Sequence, residues 1–296
     1  MSTTRKVIWG VFGFYLAGLI LLVLIFGIST HTNNSFLPQN EFKLINWVHL
    51  GVFSINRAVV YLFIATLLTI FTMLWISRRM HARPNRVQTG VEVLFSLMRD
   101  NITRGNMEDS EAAKWFPYLG ALFLFIWYCN LIGYLPLPTN SEHKFAVFGA
   151  HIPTFALYAA TANVSVPLVL ALVTFVAFNA EGVRVHGPIG YIKSLIPSGI
   201  TGPILILIGP LEVVSVFMRL ISLTVRLFAN ILAGHMIILF MAGGLAVILG
   251  ASWLGWFTLP FGIAIYLFEL GLVATLQAFI FATLSAIYLG GAVSHH

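Results

Sequence analysis

Two apolar stretches near the C-terminus, residues 204–249 and 251–290, constrain this chain more than any other feature. As helices rising about 1.5 Å per residue they would be roughly 60 to 70 Å long, twice the hydrocarbon thickness of about 30 Å. No upright span holds either one. Each breaks into two helices or lies steeply tilted, and the lack of a charged loop inside either stretch favours tilt. Four further runs, 7–28, 58–76, 116–137 and 155–180, are each long enough for one crossing, with Pro167 expected to bend the last or to demand a packing compensation. The 296 residues are 59% hydrophobic and only 9% charged. A soluble interior of that size cannot absorb so much apolar surface, which excludes a soluble enzyme, a nucleic-acid-binding domain and a disordered segment together. Cys129, the single cysteine, lies in an apolar run and excludes a disulfide framework. The expected fold is an all-α polytopic membrane protein of about six membrane helices, with a C-terminal hairpin of two long, steeply tilted helices over about 198–294.

Lys and Arg in the connections set the orientation. With the N-terminus in the cytoplasm, Arg5, Lys6, Arg78, Arg79, Arg83, Arg86, Arg99, Arg104, Lys114, Arg184 and Lys193 lie inside, against Lys43, Arg57 and Lys144 outside. The net charge of +6 therefore reports topology rather than an acidic ligand. The first run could be read as a secretory signal, since Arg5 and Lys6 precede it and Ser29 and Thr30 are small, but it exceeds the usual apolar core of about 7 to 15 residues. An extra membrane helix followed by an external segment, together 1–56, is the preferred reading. Between the second and third spans, Val87, Val91, Leu94, Met98 and Ile102 recur at helical spacing among Gln88, Glu92, Ser96, Arg99 and Asp100. This predicts an amphipathic helix on the cytoplasmic surface, either a docking face for a partner helix or a membrane anchor.

Charges inside the long stretches are the functional candidates. Glu212, Arg219, Arg226, His235 and Glu269 would each cost roughly 2.5 to 3.5 kcal/mol or more at a helix centre facing lipid. They must face a partner charge, water or another subunit. On one helix Glu212, Arg219, Ser222, Arg226 and Asn230 share a stripe that small Gly234 continues, while His235 comes out about 180° from Arg226. The bland alternatives are static ion pairs, Arg226 with Glu269 and Arg219 with Glu212, and a packed His235. Guanidinium stays protonated, so Arg226 cannot relay a proton, but it can hold a partner's carboxylate ionised. His143, His151, His295 and His296 fit no ligand pair on one helix turn and predict no metal site.

From Ser222 through Thr224, Arg226, Leu227, Asn230 and Gly234 to His235 the sequence resembles subunit a of F-type ATP synthases, the stator channel beside the rotating c-ring. Leu276-Gln277-Ala278-Phe279-Ile280-Phe281 resembles that family's second signature, Asn130-Leu131-Ile132-Gly133-Tyr134-Leu135-Pro136 the end of its third span, and Gly190-Tyr191-Ile192-Lys193 the turn before its long hairpin. The likeness covers Arg57 to the C-terminus, a channel domain of 57–296, and leaves the first span outside. The resemblance implies that Arg226 is the obligatory arginine, that Asn230 and Gln277 are the polar residues next to it, and that Glu212 and Ser222 line the path toward the cytoplasm. His235 stands where many bacterial relatives have Glu and mitochondrial ones His. Mitochondrial relatives place the complementary Glu seven residues before the glutamine, whereas Glu269 is eight before Gln277. One residue rotates a side chain by about 100°, so a His235–Glu269 contact needs a π-bulge or a shifted register.

What the resemblance implies is a non-catalytic stator subunit of a rotary ATP synthase, without cofactor or metal. Two offset half-channels would serve the ring carboxylates, with Arg226 between them, His235 and Glu269 on the outer side and Glu212 on the inner. The implied partners are the c-subunit ring, the peripheral-stalk b subunits, the other synthase subunits and the bilayer, not nucleic acid. The implied location is a bacterial plasma membrane, with the mitochondrial inner membrane as the alternative. Two other classes compete. A self-contained ion channel or secondary transporter would also carry intramembrane Arg and Glu, although the two halves show no matched interrupted helices. A membrane-embedded enzyme would need a metal or phosphate motif, and the sequence has no HExxH and no Gly-rich phosphate loop.

Overall fold

The computed structural model describes residues 13, 17–18, 46–50, 53–79, 86–147, 150–194, 204–245 and 252–293. Apart from three isolated positions, the expected first span at 7–28 lies outside the described residues. Those described fall into two compact units, divided after His235 and before Tyr266. Among the described residues five helical stretches are long and apolar enough to cross a membrane: Arg57–Arg78, Asp109–Gly133, Ser165–Tyr191, Ile208–Leu239 and Thr258–Val293. The protein is an all-α polytopic membrane protein. Among the described residues the strands form two antiparallel ribbons, β1 (Asn46–Leu50) with β2 (Phe53–Asn56) and β3 (Leu137–Val147) with β4 (Ala150–Ala156), in connections that hydrophobic runs alone do not resolve.

Helix α1 is Arg57–Arg79 and the amphipathic helix α2 is Arg86–Ser96, which passes into a π-helix at Leu97–Arg104. Met98 and Ile102 are buried in the core and Leu94 packs against it, as their spacing requires. Val87 departs from the expectation: it is exposed in the first turn, while Gln88 is buried and donates to Glu92 Oε1 at 2.7 Å. Satisfying the amide on its own helix makes that burial tolerable.

Helix α3 (Asp109–Gly133) is the axis of the larger unit. It lies along α7 (Ala274–Val293), whose Ala274, Ala278, Ala282 and Ala286 are fully buried at intervals of four residues. That small-residue stripe lets two helices approach closely where no hydrophobic effect drives them together. Polar groups join the seam: Trp127 Nε1 donates to Thr275 Oγ1 at 3.0 Å, and Asn130 Nδ2 donates to the Ala274 carbonyl at 3.2 Å. Asn130 also accepts from Thr161 Oγ1 at 2.8 Å, tying the 3₁₀ turn Ala160–Ala162 to the same point.

Helix α4 (Ser165–Ser194) starts later than the apolar run, and this changes the part played by proline. Pro167 falls in the first turn, where a missing N–H costs nothing, so it neither bends the helix nor needs compensation. The break is at Gly187, with φ 72° and ψ 163°, followed by Pro188. An extended residue before proline and a φ open essentially to glycine together fold the end of α4 into a separate short helix through Gly190–Lys193. The Tyr191 ring returns against Gly182, and its hydroxyl donates to Asn179 Oδ1 at 2.9 Å. Gly187→Ala is expected to strain the backbone by about 1 to 3 kcal/mol. The check is the melting temperature of the detergent-solubilised protein, which should fall by several degrees relative to Gly190→Ala at a helical position.

The two C-terminal stretches are each helical over their described lengths. Helix α5 is Ile204–Leu239 and passes into a π-turn at Phe240–Gly244. Helix α6 (Ser252–Phe268) continues through a π-turn at Glu269–Val273 into α7. Over their described lengths the expected stretches are therefore long helices rather than pairs of short ones.

Candidate functional site

Helix α5 has two faces. Val216, Leu223, Leu227 and Ile231 are buried in the core, and Thr224 beside them donates back to the Leu220 carbonyl at 2.9 Å. On the other face Ser222, Arg226, Ala229, Asn230 and Ala233 are exposed. The stripe read from the sequence is thus divided by depth. Nearest the N-terminal end of α5, Arg219 and Glu212 are partly buried and paired at 3.9 Å, with the Arg219 guanidinium over the Tyr288 ring at 5.3 Å. Here the static pair expected as the bland alternative is what forms. Arg226 is different: among the described residues it makes no ion pair or hydrogen bond, and Glu269 does not reach it. A permanent cation therefore stands open between small residues, about 10 Å of helix beyond Arg219.

His235 is buried, on the face opposite Arg226, as the nine-residue spacing requires. About 13 Å of helix separates the two. Its Nδ1 lies 3.0 Å from the Ile231 carbonyl and its Nε2 3.1 Å from the Gly133 carbonyl. A neutral imidazole has one N–H and can satisfy only one of these oxygens, whereas the protonated ring donates to both.

Glu269 opens the π-turn Glu269–Val273 and is buried. In a regular α-helix a residue eight before Gln277 is turned by about 80° from it. One extra residue in the π-turn cancels most of that rotation, and both side chains come to buried positions. A π-turn of the kind that a His235–Glu269 contact was expected to need is present. It does not produce a His235–Glu269 pair, however, since His235 turns both nitrogens to carbonyls and Glu269 Oε2 accepts from the Tyr134 hydroxyl at 2.9 Å. Tyr134, which caps α3, lies with its ring 4.5 Å from the His235 ring and 33° from parallel. Gly234 completes the arrangement: a Cβ built on it would collide with the Glu269 carboxylate.

The structure therefore gathers His235, Glu269 and Gly234 at the C-terminal end of α3, exposes Ser222, Arg226 and Asn230 on one face of α5, and pairs Glu212 with Arg219. Sequence reasoning missed Tyr134 and the Gly133 carbonyl. Both lie inside the quoted Asn130–Pro136 segment, but nothing in a local pattern says that the end of α3 meets α5 and the π-turn. It also missed the pair between Lys114 and Glu181, a buried carboxylate joining α3 to α4, to which Arg184 adds a contact at 3.8 Å.

Residues 59–290 match the family model of the ATP synthase A chain. An ATP synthase subunit a of Paramagnetospirillum magneticum is 34% identical over 270 residues, covering 88% of this chain and 99% of the relative. One of Rubrobacter xylanophilus is 35% identical over 238 residues, covering 80% and 83%. A longer one of Anaeromyxobacter dehalogenans is 34% identical over 244 residues, covering 81% of this chain and 58% of the relative, so the chain spans little more than half of that protein's length.

Proposed function

Because the chain belongs to the ATP synthase A chain family, we propose that it is the proton-translocating stator subunit of an F-type ATP synthase, not catalytic by itself, in a bacterial plasma membrane. In this reading the exposed face of α5 lies against a ring of c subunits, and peripheral-stalk b subunits hold the chain still. The observation that carries it is Arg226: an exposed guanidinium within an apolar span, unpaired among the described residues, with Ser222 and Asn230 one turn to either side. A cation in that position is costly unless a partner's carboxylate or water meets it.

The mechanism follows from what each group can do. A ring carboxylate must be neutral to face lipid and can ionise where a fixed cation stabilises it. Arg226 supplies that cation without releasing a proton of its own. The released proton leaves through a half-channel on one side, and the carboxylate regains one from a half-channel on the other. His235 and Glu269 serve the outer path, Glu212 and Ser222 the inner, with Asn230 and Gln277 as polar neighbours of the gate. A fixed positive charge between the half-channels repels hydronium, and the membrane potential contributes about 2.3 kcal/mol per charge per 100 mV to bias rotation. Steep tilt of α5 and α7 would let both follow the curved ring wall, with Ala229 and Ala233 permitting close approach.

Contact with the ring is tested by disulfide trapping in membranes bearing the whole complex. Asn230→Cys is expected to cross-link to a cysteine placed one turn from the c-subunit carboxylate, and the bond, once formed, should block rotation and the ATP hydrolysis coupled to it. Ile231→Cys, on the buried face of α5, is expected to give no such product. Equal trapping from both positions, or from neither, would remove the ring from this face.

A further inference from the structure

The outer cluster holds one side chain to which the proton path gives no part. Tyr134 is fully buried, donates its hydroxyl to Glu269 Oε2 at 2.9 Å and lays its ring 4.5 Å from that of His235. Its main-chain oxygen accepts from the Tyr266 hydroxyl at 2.8 Å, and the preceding carbonyl, of Gly133, receives His235 Nε2 at 3.1 Å. A single residue thus touches both titratable groups of the outer path, which form no ion pair with each other among the described residues.

We infer that Tyr134 is a positioning residue of the outer half-channel, its phenol fixing the Glu269 carboxylate and its ring holding His235 beside it. The inference rests on the reading of His235 and Glu269 as that channel's proton-exchanging groups. Space-filling alone does not explain the residue, because Phe or Leu would fill the same volume without burying a hydroxyl, which costs free energy unless it finds a partner. The partner found is a carboxylate, so the bond is charge-assisted when Glu269 is ionised and directional in a way that packing is not. Three elements converge on this carboxylate. The end of α3 brings Tyr134, α5 brings Gly234 with no side chain to obstruct the approach and His235 next to it, and α6 brings Tyr266 as a strap on the Tyr134 backbone. Without the phenol the acid keeps its place in sequence but loses the group that orients it.

The test uses inverted vesicles carrying the complete synthase, whose lumen then corresponds to the outer side. ATP synthesis is measured over a series of luminal pH values at fixed external pH and fixed potential, with assembly matched by immunoblot. A hydrogen bond donated to a carboxylate favours its ionised form, so its loss favours the protonated one. Tyr134→Phe is therefore expected to move the midpoint of the luminal pH profile upward by about one unit. Tyr134→Leu, which also withdraws the ring from His235, should in addition lower the maximal rate several-fold. Tyr134→His returns a ring with an N–H donor and should bring the midpoint back toward wild type. Superimposable wild-type and Phe profiles overturn the inference, and if the Phe variant fails to assemble, identical profiles for His and Leu overturn it equally. Arg226→Ala, run alongside, separates the failures: if it synthesises ATP normally the stator reading falls, and if it is inactive while Phe matches wild type only the role of Tyr134 falls.

Discussion

Arg226→Ala is expected to abolish ATP-driven proton uptake into inverted vesicles at unchanged assembly of the complex. Two unit charges about 4 Å apart at an effective dielectric of about 20 interact by roughly 4 kcal/mol, so removing the guanidinium makes ionisation of a carboxylate facing α5 about a thousandfold less favourable. Pumping should fall below detection. The same substitution removes the fixed charge that repels hydronium, so vesicles stripped of the soluble sector should leak protons faster than wild type when a potential is imposed. Loss of pumping together with a gained leak is the combination that identifies a gate. A structural residue would lose both by misassembly, and a dispensable one would change neither. Arg226→Lys keeps a charge but not the character of the site, because an ammonium in a dry environment can surrender its proton and lacks the planar fork of donors. It is expected to resemble alanine in pumping. Undiminished uptake by Arg226→Ala would return the residue to packing and leave family membership as a statement of fold.

Arg219 supplies the contrast on the same helix. It lies about 10 Å of helix closer to the N-terminal end of α5, paired with Glu212 at 3.9 Å and seated over Tyr288. Partly exposed pairs of this kind contribute at most about 1 kcal/mol, so its removal should cost stability or assembly more than coupling. Two arginines seven residues apart look equivalent on a helical wheel. The structure separates them by what stands opposite: a carboxylate and an aromatic ring for one, open surface for the other.

Legibility in the sequence followed the range of the interaction involved. Spans and the two faces of α5 depend on composition and on a period of 3.6 residues, and both are local. The opposition of Arg226 and His235 was legible for that reason. Pro167 was misjudged because its effect depends on where a helix begins, and the apolar run extends back into residues that form β4. The count of eight residues from Glu269 to Gln277 named a π-bulge only as a condition for a His235–Glu269 contact, and the π-turn that is present serves a different contact. The extra residue delivers the acid to a phenol at the end of α3, more than a hundred residues away in sequence, rather than to the histidine. Burial of Asn130 and Tyr134 likewise follows from the alanine stripe of α7 closing on α3, a long-range fit that no single segment encodes.

The second large effect belongs to Gly234, where a single methyl group tests whether Glu269 works in the position seen. In a membrane helix a glycine next to a buried carboxylate has two readings, close packing or clearance for the acid. The distinguishing fact is that an added Cβ would meet the Glu269 carboxyl group itself, not another helix's backbone. Nor is backbone freedom at issue, since Gly234 lies inside α5 and Ala is the better helix former by about 1 kcal/mol. Gly234→Ala should therefore leave the helix intact, or steady it, while pushing the carboxylate off the Tyr134 hydroxyl. Proton transport is expected to fall at least tenfold, read as ATP-driven uptake at matched assembly. Glu269→Asp withdraws the carboxylate by one methylene, so the double variant Gly234→Ala with Glu269→Asp should recover part of the lost rate although each change alone is harmful. Such non-additivity arises only if the two sites share the same space. A Gly234→Ala complex that pumps at the wild-type rate would mean that Glu269 does its work elsewhere, and additive losses in the double variant would mean that the two residues act apart.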